Sequence, residues 1–231
     1  TIRPHSHFCS SFGMDAIYAQ VLDVLQSKQF LAVAALSIGV AIAGHLLFHR
    51  VLFGDKPVLS PTEYRNFPLV AREEISHNTK LFRFGLPDAK AVLGLPIGRH
   101  VSLCADLPGG TDVKRPYTPT TSDETTGHFD LVVKVYPEPH GIMSRHLDSM
   151  KLGDTIKVRG PSGRFQYEPN KWKHLGMICG GTGLTPMWQV FQAILAEAAD
   201  MTRVSLIYAN VTEDDILLRR EIEDAANKSN G

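Results

Sequence analysis

The chain has 231 residues, enough for one or two domains with cores of their own. Lysine plus arginine number 24 and aspartate plus glutamate 24, so the formal charge is zero and nothing in that balance points to nucleic acid. The three cysteines, Cys9, Cys104 and Cys179, are odd in number and far apart, which excludes a disulfide framework or a CxxC metal site and fits a reducing, cytosol-facing compartment.

Residues 1–28 read as an N-terminal extension. Met14, followed by DAIYAQVL, looks like a natural start, which leaves residues 1–13 outside the translated chain. His5, His7 and Cys9 alternate there, but three such residues in a polar tail do not make a metal site. From Gln29 to His49 the sequence QFLAVAALSIGVAIAGHLLFH has no Asp, Glu, Lys or Arg. As a helix it would span ~31 Å, about the thickness of a bilayer core. Arg50 and Lys56 follow, so the C-terminal side should stay cytosolic. The run is too long for the apolar part of a signal peptide, and a buried helix is the alternative. Residues 29–53 are therefore expected to be a single-pass membrane anchor, with 54–61, GDKPVLSP, as a linker.

Short alternating runs follow over 62–168: YRNFPLVAREEIS, KLFRFGLP, HVSLCADL, HFDLVVKVY and DTIKVRGPSG, separated by prolines and glycines. That spacing predicts a small antiparallel barrel. One helical piece, SRHLDSMKLG, interrupts it, with Ser144 expected at the N-cap and Gly153 as the stop. After Tyr167 the pattern changes to an apolar strand, a glycine loop and a long helix. The strand TRVSLIYAN and the helix EDDILLRREIEDAANK complete it. This β–loop–α–β–α order predicts a parallel sheet wrapped by helices over 169–231.

Three stretches have the chemistry of a nucleotide site. In KRPYTPTTSDE, Pro116 and Pro119 fix the backbone and push Arg115 and Thr118 into extended conformations. An edge strand guarded by prolines is the plainer reading. Arg115 offers a planar donor fork suited to phosphate, and Tyr117 a ring to lie against a flat heterocycle. In GIMSRHL, Gly141 gives backbone freedom and the following helix N-terminus suits an anion. In GGTGLTPM, Gly180, Gly181 and Gly183 follow a strand and open a helix, with Thr185 expected as cap and Pro186 in the first turn. The loop lacks the Gly-Lys-Ser/Thr of a Walker loop and the third glycine of the Rossmann fingerprint. A tight strand-to-helix turn is its plainer reading.

Taken together, RPYTPTTS, VVKVY, GIMS, GPSGRF, GGTGLTPM and IYANVTEDDILL resemble the NADH–cytochrome b5 reductases, within the ferredoxin-reductase-like flavoproteins. The resemblance covers roughly Arg65 to Leu218. It implies an FAD-binding barrel followed by an NADH-binding domain, and the apolar N-terminal run is similar to the anchor of membrane-bound members. By position, it implies that Arg115 holds the FAD pyrophosphate, while Pro116, Tyr117 and Thr118 set the isoalloxazine and ribityl groups. Val133 and Lys134 would line the flavin, and Gly141, Ile142, Met143 and Ser144 would receive its phosphates. Gly181, Thr182 and Gly183 would face NADH, with Thr185 between flavin and nicotinamide. Asp215 matches an acidic position linked to NADH preference, since a carboxylate accepts from a ribose hydroxyl and repels the extra phosphate of NADPH. An acid that complements a helix start is the alternative reading of Asp215, and Asp214 or Glu213 could share either role.

The resemblance further implies hydride transfer from NADH to the flavin and single-electron delivery to cytochrome b5 or a similar haem protein, with no general base and no metal. The membrane would be the endoplasmic reticulum or the outer mitochondrial membrane. Two departures bear on this. Ile142 stands where family members often carry Lys, which is expected to weaken docking to acidic cytochrome b5 unless Arg164, Lys171 and Lys173 supply the charge. The family's further strands, with a Cys-Gly-Pro-Pro segment near the nicotinamide, do not follow Gly231. The chain is therefore expected to be C-terminally truncated. The alternatives are an anchored flavin-binding product without NADH activity, or a reductase module for another haem or iron–sulfur acceptor.

Overall fold

The structure is a computed structural model, and it describes residues 17–23, 57–107 and 110–228. Residues 17–23 are helical and exposed, and belong to a first unit, 1–56. The expected span at 29–49 lies outside the described residues. Among the described residues, no helix is long and apolar enough to cross a membrane.

Residues 57–231 form the second unit. Its first lobe is a six-stranded antiparallel sheet: β1 (Arg65–Ser76), β2 (Thr79–Gly85), β3 (His100–Leu107), β4 (Thr111–Tyr117), β5 (His128–Lys134) and β6 (Thr155–Ser162), in the order β4-β3-β6-β1-β2-β5. Alternation along the strands sends Phe67, Phe82, Phe84 and Phe129 inward, each at most 1% exposed. The Phe84 and Phe129 rings stack at 5.5 Å, and Phe67 meets Phe129 edge-on at the same spacing. The start of β1, Arg65–Pro68, pairs with β6, whereas Leu69–Ser76 pairs with β2. A bulge between Leu69 and Ala71 marks the change of partner, and a bulge bends its strand. The sheet curls as a barrel would, but no pairing joins the edge strands β4 and β5. The expected barrel is thus an open one.

Helix α1 (Ile142–Ser149) follows β5. It starts and ends before the expected bounds. Gly141, at φ 67°, is the N-cap, so Ser144 sits inside the first turn rather than capping it. The helix ends at Ser149, and Gly153 belongs to the next turn, where its N–H donates to the Leu69 carbonyl at 2.8 Å.

The second lobe holds two parallel strands, β7 (His174–Gly180) and β8 (Arg203–Ala209), paired in register along their whole length. A 3-10 turn, Gly181–Gly183, leads into α2 (Leu184–Ala196). Gly183 is the N-cap of α2, so Thr185 lies within it, and its hydroxyl donates to the Thr182 carbonyl at 3.3 Å. The expected last helix is divided. A 3-10 turn, Glu213–Asp215, comes first, and α3 (Arg219–Lys228) begins after Leu218 at φ 53°. The division has a local cause: the Asp215 carboxylate closes a capping box on Thr212 and so completes a separate turn.

Candidate functional site

A cavity of about 810 Å³ opens where the two edge strands fail to meet, and the second lobe supplies its remaining wall. From β4 and its end come Arg115, Pro116, Tyr117 and Thr118, and from β5 come Val133 and Lys134. The start of α1 contributes Gly141, Ile142, Met143 and Ser144, and the glycine loop contributes Thr182, Gly183 and Thr185. These sequence-predicted residues therefore gather around one space. Gly181 and Asp215 do not line it. His100, Val132, Tyr136, Pro139, His140 and Pro186 also line it, though the sequence motifs gave none of them a role in binding. Val132 and Tyr136 flank the predicted pair in VVKVY, so the alternation of that strand was the signal available for them.

Each wall has a local reason for its shape. Pro116 lies opposite Ser102 on an edge strand, where a missing N–H costs nothing. The segment after Tyr117 is tied to β5, with the Thr120 N–H donating to the Asp130 carbonyl at 2.9 Å and the Asp130 N–H to Thr121 Oγ1 at 3.3 Å. Asp130 is itself held by a two-pronged ion pair from Arg83, both contacts at 2.8 Å. Thr118 is left buried at the cavity rim, and burial pushes the Tyr117 phenol up to about 12, so it stays protonated.

The cations on the two edges differ. Arg115 is exposed, and its one bond in the structure goes to the neighbouring Lys114 carbonyl, with no acidic partner among the described residues. Lys134 faces Asp215 across 3.1 Å. The Asp215 carboxylate also accepts from Thr212 Oγ1 at 2.8 Å and from its N–H at 3.2 Å. Those hydrogen bonds, first from Thr212 and then from Lys134, hold its pKa down at about 2.

Two backbone cradles face the space. The first intrahelical bond of α1 is Arg145 N–H to the Gly141 carbonyl, so the N–H groups of Ile142, Met143 and Ser144 have no partner within the helix. Ser144 Oγ braces the turn, donating to the Gly141 carbonyl at 3.0 Å and accepting from the Tyr136 N–H at 3.2 Å. A Cβ on Gly141 would lie 2.6 Å from Tyr136 Cβ and 2.7 Å from its carbonyl oxygen, so only glycine fits there. The glycine loop leaves the carboxyl end of β7, the usual ligand end of a parallel sheet. Tyr208 Oη donates to the Gly181 carbonyl at 3.0 Å and accepts from the Leu217 N–H at 3.2 Å, which fixes the loop from behind. The lobes meet apolar face to apolar face where Val132 packs with Leu184, Trp188 and Leu217. Gln189 of α2 adds polar contacts, accepting from the Gly98 N–H at 2.8 Å and donating to the Arg99 carbonyl at 3.2 Å. A cation with no acidic partner among the described residues, a helix start and a glycine loop on the wall, a protonated tyrosine and a slot of this volume fit an elongated, phosphate-bearing aromatic cofactor. Away from the cavity, Cys104, Asp106 and Asp112 gather within 4.8 Å, but Asp106 is already paired with Lys157 at 2.6 Å.

Residues 66–167 match the family described as Oxidoreductase FAD-binding domain, and residues 177–231 match Oxidoreductase NAD-binding domain. The NADH-cytochrome b5 reductase 1 of Cryptococcus neoformans is 51% identical over 191 residues, covering 83% of this chain and 63% of that protein. The chain thus spans less than two thirds of that relative's length. The protein of the same name from Aspergillus oryzae is 47% identical, covering 89% of this chain and 73% of its own. Among solved structures, the cytochrome b5 reductase domain of Ulva prolifera nitrate reductase superposes with a TM-score of 0.71 at 43% identity, covering 76% of this chain and 72% of that one.

Proposed function

Since the chain belongs to the NADH-cytochrome b5 reductase family, we propose that residues 62–168 hold FAD, that residues 169–231 hold NADH, and that the cavity between them is where the two meet. When bound, the flavin would supply the chemistry, taking a hydride from NADH and passing electrons singly to cytochrome b5 or a similar haem protein. The residues of the chain bind and orient. Arg115 takes the FAD pyrophosphate together with the N–H groups of Ile142, Met143 and Ser144. Tyr117 and Thr118, beside Pro116, set the ring and ribityl chain, and Val133 and Lys134 close the far side. Gly181, Thr182 and Gly183 give the dinucleotide a backbone cradle, with Thr185 at the junction. The observation that carries this reading is the contrast of cations: Arg115 faces the cavity without an acidic partner, next to the open N-terminus of α1.

Residues 29–49 would anchor the chain in the endoplasmic reticulum or outer mitochondrial membrane, with the two lobes in the cytosol. Release of the protein by carbonate extraction would refute the anchor. For the cofactor, the test is the visible spectrum of the purified chain before and after NADH. A flavin band that survives gel filtration and bleaches on NADH addition is the expected result. A chain that stays colourless after incubation with FAD would overturn the reading. Reduction of purified cytochrome b5, compared with a ferredoxin, decides the acceptor.

A further inference from the structure

Tyr208 stands near the carboxyl end of β8, opposite Cys179 on β7. The alternation of β8 leaves Ser205, Ile207 and Ala209 exposed and turns Leu206 and Tyr208 inward, where the ring packs against the cluster of Leu184, Trp188 and Leu217. Its hydroxyl works in two directions. It donates to the Gly181 carbonyl at 3.0 Å and accepts from the Leu217 N–H at 3.2 Å. A phenol can do both at once. Burial raises its pKa, so the proton offered to Gly181 is kept. Just beyond Gly181, Thr182 and Gly183 line the cavity. Leu217 itself lies at the seam between the lobes, where its side chain packs with Val132 of β5. One hydroxyl therefore ties the glycine loop to a segment braced on a strand of the other lobe.

The loop has need of such a tie. Gly181 sits at φ 52°, in the left-handed region, and a Cβ built on it would meet nothing within 4 Å. Packing around its Cα therefore does not fix its shape, and glycine has the widest choice of backbone conformations. Its carbonyl is held by hydrogen bonds, from the Leu184 N–H within the turn and from Tyr208. A ligand that requires one loop shape binds more weakly in proportion as that shape is less populated. Resting on the function proposed above, we infer that Tyr208 is a positioning residue for the dinucleotide: its hydroxyl keeps the Gly181–Gly183 loop preformed as the NADH cradle, and it touches neither cofactor.

Tyr208→Phe tests this, because it keeps the ring in its apolar cluster and removes only the hydroxyl. The FAD-loaded full chain is mixed with NADH in a stopped flow, and flavin bleaching is followed over a range of NADH concentrations. The loss of one neutral hydrogen bond corresponds to a roughly three- to tenfold change in an equilibrium constant. The NADH concentration for half-maximal rate should rise by that factor, while the limiting rate changes by less than about twofold, the pattern of binding lost equally from ground and transition states. FAD retention on gel filtration should match the parent's. Falls in FAD retention and limiting rate, with the half-maximal concentration unmoved, would mark a general loosening and overturn the inference. Hydrogen exchange reads the tie directly: the Leu217 amide should exchange faster in the variant, while the amides of β2 keep their parent rates. If NADH does not bleach the flavin of the parent chain, the proposed use of NADH falls. The tie is then judged by exchange alone, and an unchanged Leu217 rate in Tyr208→Phe would refute it.

Discussion

Among the described residues, the large side chains that are wholly buried include Phe67, Phe82, Phe84 and Phe129 of the antiparallel lobe, and only Leu184 of the α/β lobe. The curled sheet surrounds its own core, whereas β7 and β8 pack one face on the helices and turn the other outward. Met177 is buried there, while its neighbour Ile178 is 74% exposed and Ile207 on the paired strand 65%. A further cavity of about 480 Å³, lined by Trp188, Phe191 and Leu206, lies inside this lobe. The difference teaches how the site is divided. Under the proposed function, the well-packed lobe would supply fixed walls for a ligand that stays, and the loosely packed one loops for a ligand that comes and goes.

The strongest attempt to break this contrast is to remove core volume from each lobe. Phe129→Ala should cost ~3–5 kcal/mol, typical of a buried aromatic, and should be read by urea titration followed by circular dichroism. Trp188→Ala should cost less than half as much, because its ring already borders open space. Equal losses would show that the lobes are one cooperative core. Hydrogen exchange gives the same comparison without mutation: amides of β2 and β5 should outlast those of β7 and β8.

A smaller effect is expected at the ligand itself. Arg115→Ala removes the unpartnered cation and should weaken FAD by ~1.5–3 kcal/mol, with no change in the stability of the unloaded chain. Dialysis against decreasing FAD measures it. At the seam, Gln189→Ala removes the contacts to Gly98 and Arg99, and should cost about 1 kcal/mol, seen as faster proteolysis of the α/β lobe.

The smallest effect is confined to acid. Asp215 has a folded pKa near 2, below the ordinary carboxylate range. Its stabilisation is therefore complete above about pH 4 and is lost as the pH falls towards 2. Parent and Asp215→Asn should have melting temperatures whose difference is constant from neutral pH down to about 4 and shrinks below it. A difference that grows on acidification would contradict the pairing.

The strands were the most legible part of the sequence, because alternation and proline or glycine punctuation act locally. HVSLCADL and the residues of β3 coincide. Helix starts were harder. Ser144 and Thr185 are the expected type for a cap, but both helices begin after a glycine instead, and at Gly141 the reason is contact with Tyr136, which lies outside the local window. The cavity's outline was largely legible too, because its motifs are short and rigid. His100 was not, since it reaches the space from β3 through the pairing of the sheet, and His140 was passed over beside a motif read for its glycine. Asp215 had two readings by sequence, and its contact with Lys134 of the other lobe, at 3.1 Å, was not legible because the two lie far apart in the chain.

The unjoined edges of β4 and β5 have a thermodynamic consequence. A ligand that fills that slot stands where a hydrogen-bonded seam would otherwise be, so the fold and its cofactor share one equilibrium. At 100 times the dissociation constant, bound ligand would add about 2.7 kcal/mol to the folded state. The amount of folded protein would then follow the supply of flavin, and vitamin shortage would be felt as loss of the polypeptide as well as loss of turnover.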